Sequence, residues 1–134
     1  MSRRIAIGLV AVLMLTGCTG VSKKAKRMAC PYTGMVRHVV LLKFKDGTSP
    51  DQIKAIEEAF RALPSKIPQI MALEWGTDIS PEKLAQGYTH CFFLTFENAA
   101  ARDAYLPHPD HKAFGQLLGP HLDKVLVIDY VAKV

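Results

Sequence analysis

Two of the five histidines, a tyrosine and two prolines lie within the seven residues 105–111. Imidazole is the side chain whose ordinary pKa lets it gain or lose a proton near neutral pH. A phenol can donate a hydrogen bond to an oxygen atom that becomes negatively charged. This segment therefore carries the groups needed for acid–base chemistry, and Tyr105 and His111 are its candidate catalytic residues.

The prolines of this segment predict a corner between two helices. Proline lacks an amide donor and disfavours helix at the residue before it, so a helix that enters at Tyr105 has to stop there. Pro109 suits the first turn of a new helix, where the missing donor costs nothing. We expect Tyr105 to end one helix and His111 to lie in the first turn of the next.

Alternating apolar side chains predict strands at residues 35–45 and 88–96. Each strand carries one histidine on the same face as its larger apolar residues. We expect that face to lie beneath the helices and to form the apolar wall of any pocket. The side chains assigned to it as ligand-binding candidates are His38, Val40, Leu42, His90 and Phe92.

The remaining elements complete an α+β order, β-α-β-β-α-α-β. Ser49 and Gln52 have the spacing of a capping box, and they predict a helix over 50–63 that presents Phe60 to the core and ends at Pro64. Apolar runs predict strands at 70–76 and 124–132, and residues 97–105 and 109–118 are predicted helices. This order suits a four-stranded, antiparallel-dominated sheet with helices on one face.

The opposite face of this sheet is too apolar to remain in water. It carries Val39, Leu41 and Phe93. A patch of this kind marks an interface, and its symmetric solution is a homodimer that closes two sheets face to face.

The charge is concentrated outside the predicted domain. Of 17 basic residues, six lie within residues 1–34, which contain no acidic residue. Residues 35–134 therefore hold 11 basic and 12 acidic residues and are near neutral. A nucleic-acid-binding domain needs a basic face on the fold itself, so we exclude that class of partner.

The first 18 residues have the pattern of a bacterial lipoprotein signal peptide. Arg3 and Arg4 precede an uncharged apolar run that is too short to span a bilayer, and residues 15–18 (LTGC) resemble a lipobox. Cys18 would be lipidated and become the mature N-terminus. Thr19 follows it where aspartate would signal retention in the inner membrane, so we expect an anchor in the outer membrane facing the periplasm. The alternative is an ordinary secretory signal with an incidental cysteine.

Residues 19–34 read as a flexible basic tether between this anchor and the domain at 35–134. Its lysines and arginines could lie against anionic lipid headgroups or could simply be solvated. Cys30 and Cys91 could form a disulfide. Spacing alone does not show this pairing, and we expect a buried Cys91 and a free or variable Cys30.

Several segments together resemble the stress-responsive dimeric α/β-barrel (Dabb) domain family. They are VRHVVLLKF, EWGTDIS, GYTH, YLPHPDH and VLVIDYV. The resemblance covers residues 35–134 and implies a ferredoxin-like protomer that dimerises through its sheet into a barrel. Many members are small stress-induced proteins, and a plant cyclase branch closes a polyketide chain by aldol condensation without a cofactor.

Carried over to this sequence, that branch implies a catalytic pair and two pocket histidines. The pair is Tyr105 and His111, and the pocket histidines are His38 and His90. Phe60 stands where the cyclase branch has a pocket tyrosine, and it is a further ligand-binding candidate. His111 would act as the general base and Tyr105 as the donor to the enolate oxygen.

Three functions are compatible with these residues. The first is a membrane-anchored, stress-related protein that binds a small hydrophobic ligand in this pocket without a cofactor. The second is the cofactor-free aldol-type cyclase or lyase, and the third is a non-enzymatic dimeric interaction module in which these side chains only satisfy one another in the core. A metal site that joins His108 and His111 to His38 or His90 is a further alternative, although we expect no metal.

Overall fold

The computed structural model describes residues 30–133. The predicted signal peptide with its lipidation site Cys18 and residues 19–29 of the predicted tether lie outside the described residues. The elements are β1 (Val36–Phe44), α1 (Pro50–Arg61), α2 (Leu63–Lys66), β2 (Ala72–Thr77), β3 (His90–Phe96), α3 (Ala99–Tyr105), α4 (Pro109–Leu118) and β4 (Leu122–Val131), with a short 3-10 helix at Gly119–His121. The predicted order is confirmed except for the additional short helix α2 and the 3-10 helix, and the boundaries of the predicted elements lie within two residues of the observed ones.

The four strands form one sheet in the order β2-β3-β1-β4. Every pairing is antiparallel, and β1 lies between β3 and β4. This is the predicted ferredoxin-like α+β fold. Because β1 is central, its side chains are positioned by both neighbouring strands.

Helix α1 begins where its sequence predicts. The Ser49 hydroxyl accepts the amide of Gln52, and the Gln52 side chain accepts the amide of Ser49, which closes the capping box. The prediction for its end was wrong. Pro64 does not terminate α1; it lies in the first turn of the separate short helix α2, where its missing amide costs no hydrogen bond.

The core lies between the helices and one face of the sheet. Its centre is the ring of Phe60 on α1 stacked on Phe92 of β3, with 3.9 Å between ring centroids and 9° between the ring planes. The buried apolar residues of this cluster are Val36, Val40, Leu42, Ile56, Phe60, Leu63, Ile67, Ile70, Phe92, Leu94, Phe96, Tyr105, Phe114 and Leu118.

Neither Cys30 nor Cys91 forms a disulfide in the structure, and both are half-buried. Burial and the charge of Glu74 raise the pKa of the Cys91 thiol. Within residues 30–133, no helix has the length and apolar character needed to cross a membrane.

Candidate functional site

The predicted corner between α3 and α4 is confirmed. Helix α3 ends at Tyr105, and α4 begins at Pro109. His108 caps α4, because its Nδ1 accepts the amide of Asp110 at 3.2 Å. Its own amide donates to the Tyr105 carbonyl at 3.0 Å and closes the turn. The corner thus directs Tyr105 into the core and places His111 in the first turn of α4.

Tyr105 and His111 lie side by side. Their ring centroids are 4.3 Å apart, with 41° between the ring planes. Tyr105 is only 1% exposed and also contacts the rings of Phe96 and His38, at centroid distances of 5.1 and 5.7 Å. Burial, and secondarily the charge of Asp129, raise the pKa of the Tyr105 phenol. The phenol therefore keeps its proton and remains a hydrogen-bond donor.

The orientation of His111 leaves one ring nitrogen free. Its Nδ1 lies 2.9 Å from the carbonyl oxygen of Leu106. A carbonyl oxygen can only accept, so Nδ1 carries the hydrogen atom in this arrangement. In the neutral ring, Nε2 then holds the lone pair that can accept a proton or a hydrogen bond.

Sequence reasoning did not find Asp129, a carboxylate that contacts His38 beside the cavity. His38 is 4% exposed, and its Nδ1 lies 2.5 Å from Oδ1 of Asp129. The other carboxylate oxygen of Asp129 accepts a hydrogen bond from Nη1 of Arg102. Arg102 also donates through Nε to Asp103 at 2.7 Å. Asp129 thus lies between a cation and the buried imidazole.

Strand pairing explains this contact. His38 of β1 is directly opposite Asp129 of β4, so both side chains lie on the same face of the sheet. The sequence held a signal: Asp129 is the one acidic residue in the apolar run 125–131, in phase with Val125 and Val127. Only the strand register connects that carboxylate to a histidine 91 residues away.

A cavity of about 210 Å³ lies at the corner, between α4 and the sheet. We call it the Tyr105 cavity. Its polar residues are His38, Tyr105 and His111. The rest of its lining is apolar and consists of Val40, Phe60, Leu106, Phe114, Gly115, Leu118, Val125 and Val127.

The prediction that His90 joins this cavity was wrong. His90 lies on the helix-facing side, as predicted, and is 7% exposed. However, His38 is paired with Leu94 of β3 and His90 with Leu42 of β1, so the two histidines are four residues apart along the sheet, about 13 Å. The Nε2 atom of His90 bonds to Glu57 at 2.9 Å instead.

Two predicted wall residues also lie outside this cavity. Leu42 and Phe92 are completely buried beneath the helices and contribute to the core rather than to the cavity lining. Val40 and Phe60 do line the cavity, as predicted. The alternation of side chains identified the correct face, but it could not distinguish the lining from the core behind it.

His90 borders a second cavity of about 310 Å³ at the other end of the sheet. It lies between the strands and the loop that connects β2 to β3. Its lining is Leu41, Gly76, Thr77, Asp78, Ala85, Tyr88, His90 and Cys91. The two cavities are lined by different residues: His38 and His111 line the Tyr105 cavity, whereas His90 lines the second one.

The histidines do not converge on a metal. Within residues 30–133, no three His, Cys, Asp or Glu side chains are arranged to hold a metal ion. His108 caps α4, and His111 bonds to a backbone carbonyl. The alternative of a metal site built from His108, His111 and His38 or His90 is therefore not supported.

The face of the sheet that carries no helix is strongly apolar, and we call it the outer face. On β4 it exposes Leu126, Ile128 and Tyr130 to between 41 and 51%. Val39 and Ile128 are directly opposite each other on β1 and β4. Within residues 30–133, β4 is also an edge strand, so this surface places an apolar strip beside a strand edge that is open to pairing.

The fold and site together define a small α+β protein with a ferredoxin-like sheet and a His/Tyr cavity at a helix corner. The model of the stress responsive A/B barrel domain (Dabb) matches residues 36–132. The chain belongs to this family.

This chain covers nearly the whole length of two curated relatives. The stress-response A/B barrel domain-containing protein HS1 of Arabidopsis thaliana is 46% identical over 97 residues, which are 72% of this chain and 89% of HS1. Olivetolic acid cyclase of Cannabis sativa, a homologue, is 32% identical over 98 residues, which are 73% of this chain and 97% of the cyclase.

Solved structures agree with this assignment. A hydroxynitrile lyase from Passiflora edulis has a TM-score of 0.71 and 30% identity, over 77% of this chain and 96% of the lyase. A dimeric ferredoxin-like protein of unknown function from Thermobifida fusca has a TM-score of 0.65 and 26% identity, over 78% of this chain and 97% of that protein.

Proposed function

We propose that this protein binds a small, largely apolar molecule that carries a carbonyl or phenolic oxygen, and that it does so in the Tyr105 cavity without a cofactor. The observation that carries this proposal is the pairing of Tyr105 with His111. Their ring centroids lie 4.3 Å apart, and both rings line an otherwise largely apolar cavity. Sites of this kind orient an apolar ligand with a few polar groups.

Each polar group has a defined part in this binding. The Tyr105 phenol donates to a ligand oxygen, because its raised pKa keeps it protonated. Nε2 of His111 accepts from a ligand hydroxyl or acidic C–H, since Nδ1 is held by the Leu106 carbonyl. At about 210 Å³, the cavity is smaller than the roughly 300–1,000 Å³ typical of drug-sized ligands, so the ligand is small.

A second candidate function is cofactor-free acid–base catalysis at carbon. In an aldol-type step, Nε2 of His111 takes a proton from the carbon next to a carbonyl group, and Tyr105 donates to the enolate oxygen. The enolate carbon then bonds to a second carbonyl carbon, and the His111 imidazolium returns its proton to the resulting alkoxide. The free Nε2 beside the phenol favours this function, as do a cyclase and a lyase among the similar proteins.

The binding proposal is tested by titration calorimetry with olivetolic acid and an aromatic hydroxynitrile as probes. We expect saturable binding that Tyr105→Phe and His111→Gln each weaken at least tenfold, while His90→Gln leaves it unchanged. Binding that depends on His90 but not on Tyr105 or His111 would move the site to the other cavity. No binding of either probe would favour the non-enzymatic interaction module.

We also propose that the protein is a homodimer held at the cell envelope. The outer face is an apolar surface of the kind that oligomers bury, and several similar structures are of dimeric ferredoxin-like proteins. Lipidation at Cys18 would anchor the dimer in the outer membrane facing the periplasm. The domain family and HS1 link the protein to stress responses.

A further inference from the structure

Arg37 is a buried cation without enough hydrogen-bond acceptors. It lies on the outer face near the start of β1 and is only 7% exposed. Its Nε and Nη1 atoms are shielded from solvent and have no hydrogen-bond partner within residues 30–133. A guanidinium presents five N–H donors, so burying it with donors unmet is unfavourable for a lone protomer.

The two flat sides of this guanidinium are covered by aromatic rings. Its Cζ lies 4.3 Å from the ring centroid of Tyr32 and 4.0 Å from that of Phe93. These contacts favour the positive charge, but they satisfy no N–H group. The edge of the guanidinium is the part that lacks partners.

The acidic group beside Arg37 faces its third nitrogen, Nη2, and leaves Nε and Nη1 without an acceptor among residues 30–133. Nη2 of Arg37 lies 3.7 Å from Oε1 of Glu74, which is longer than a hydrogen bond. The Glu74 side chain is 72% exposed and lies over the outer face. Both groups border a small cavity of about 90 Å³, whose lining is Tyr32, Arg37, Ala72, Leu73, Glu74, Phe93 and Thr95.

We propose that the acceptors for Arg37 come from a second copy of this chain. This inference rests on the homodimer proposed above and adds its polar anchor. Arg37 is directly opposite Tyr130 of β4, so it is continuous with the exposed apolar strip. Glu74 is the one acidic residue in the lining of the small cavity. In a two-fold dimer each contact occurs twice, so Arg37 of each copy can pair with Glu74 of the other.

Docking would also move Tyr32. Its ring is half-buried, lies over one flat side of the Arg37 guanidinium and lines the small cavity. A shift of this ring would leave more room around the shielded guanidinium for an acceptor from the second copy, and Tyr32 would join the interface. Residues 30–34, where the tether meets the domain, thereby become part of the dimer contact.

The test compares the purified wild-type protein with its Arg37→Met and Glu74→Gln variants by sedimentation equilibrium. We expect each substitution to raise the dimer dissociation constant at least tenfold, because each leaves a charged group unpaired in the interface. Arg61→Met is the matched control, since Arg61 is exposed on α1. If the Arg37→Met variant dimerised as tightly as the wild type, the proposal would be overturned. A monomeric wild type would overturn the homodimer itself.

A second measurement separates loss of the interface from loss of folding. Ile128→Glu puts a charge on the outer face and supplies a monomeric background. In that background, Arg37→Met should unfold at a temperature no lower than its parent, because it removes an under-satisfied buried charge. A lower unfolding temperature would mean that Arg37 stabilises the protomer by itself, and it would overturn the proposal.

Discussion

The imidazole of His38 and the carboxylate of Asp129 face each other across β1 and β4, with 2.5 Å between Nδ1 and Oδ1. Because Arg102 donates to the other carboxylate oxygen, the Asp129 side chain is held in place from two sides. The carboxylate orients the imidazole by accepting from its Nδ1, so in the neutral ring Nε2 of His38 is the nitrogen left as an acceptor.

Asp129→Asn should therefore loosen the site. An amide cannot accept from His38 and Arg102 as a carboxylate does, so we expect the free energy of unfolding to fall by about 1–3 kcal/mol. Binding of the probes should weaken in parallel. Denaturant unfolding and titration calorimetry check both effects.

Asp103→Asn is the control for this prediction. Asp103 also accepts from Arg102, but its side chain is 63% exposed. We expect a change in stability of less than about 1 kcal/mol, as for an exposed ion pair. If both variants lost the same free energy of unfolding, Asp129 would not be the carboxylate that holds the site in place.

Tyr105 makes stability depend on pH in the alkaline range. Its pKa in the folded protein is raised above the ordinary value near 10 by burial, so above pH 10 the unfolded chain loses this proton first. The contribution of Tyr105 to the free energy of unfolding is fully present below pH 10. It falls as the pH rises above 10, by about 1.4 kcal/mol per pH unit. Tyr105→Phe should remove this slope, and urea unfolding between pH 9 and 11.5 measures it. A wild-type slope that persists in the variant would show that Tyr105 is not the cause.

Gly115 allows the cavity to be filled without disturbing the core. It lies on α4 in the cavity lining, and an added Cβ would meet no atom within 4 Å. Gly115→Leu should weaken probe binding at least tenfold. It should not lower stability, since glycine costs about 1 kcal/mol within a helix. Gln116→Leu, on the exposed side of α4, is the matched control. Undiminished binding by Gly115→Leu would exclude the Tyr105 cavity.

The prediction of membrane anchoring depends on lipidation of Cys18. In bacterial cells given radiolabelled palmitate, the wild-type protein should take up label, and Cys18→Ala should not. Cys30→Ala should keep the label, because Cys30 lies outside the lipobox-like residues 15–18. An unlabelled wild-type protein, or labelling that survives Cys18→Ala, would contradict the lipoprotein assignment.

The sequence was informative where the signal is local. Prolines 107 and 109 predicted the corner that pairs Tyr105 with His111, and side-chain alternation put His38 and His90 on the helix-facing side. Local patterns do not report position along a strand, so the separation of His90 from His38 was missed. Asp129 was missed because its contact depends on the pairing of β1 with β4.

The measurement that tests the central claim most directly follows the histidine ring signals by NMR while olivetolic acid or the aromatic hydroxynitrile is added. His38 and His111 line the Tyr105 cavity, whereas His90 lines the other one. We predict saturable shifts of the His38 and His111 signals and unchanged His90 and His121 signals. Shifts confined to His90, or none at any histidine, would contradict ligand binding in the Tyr105 cavity.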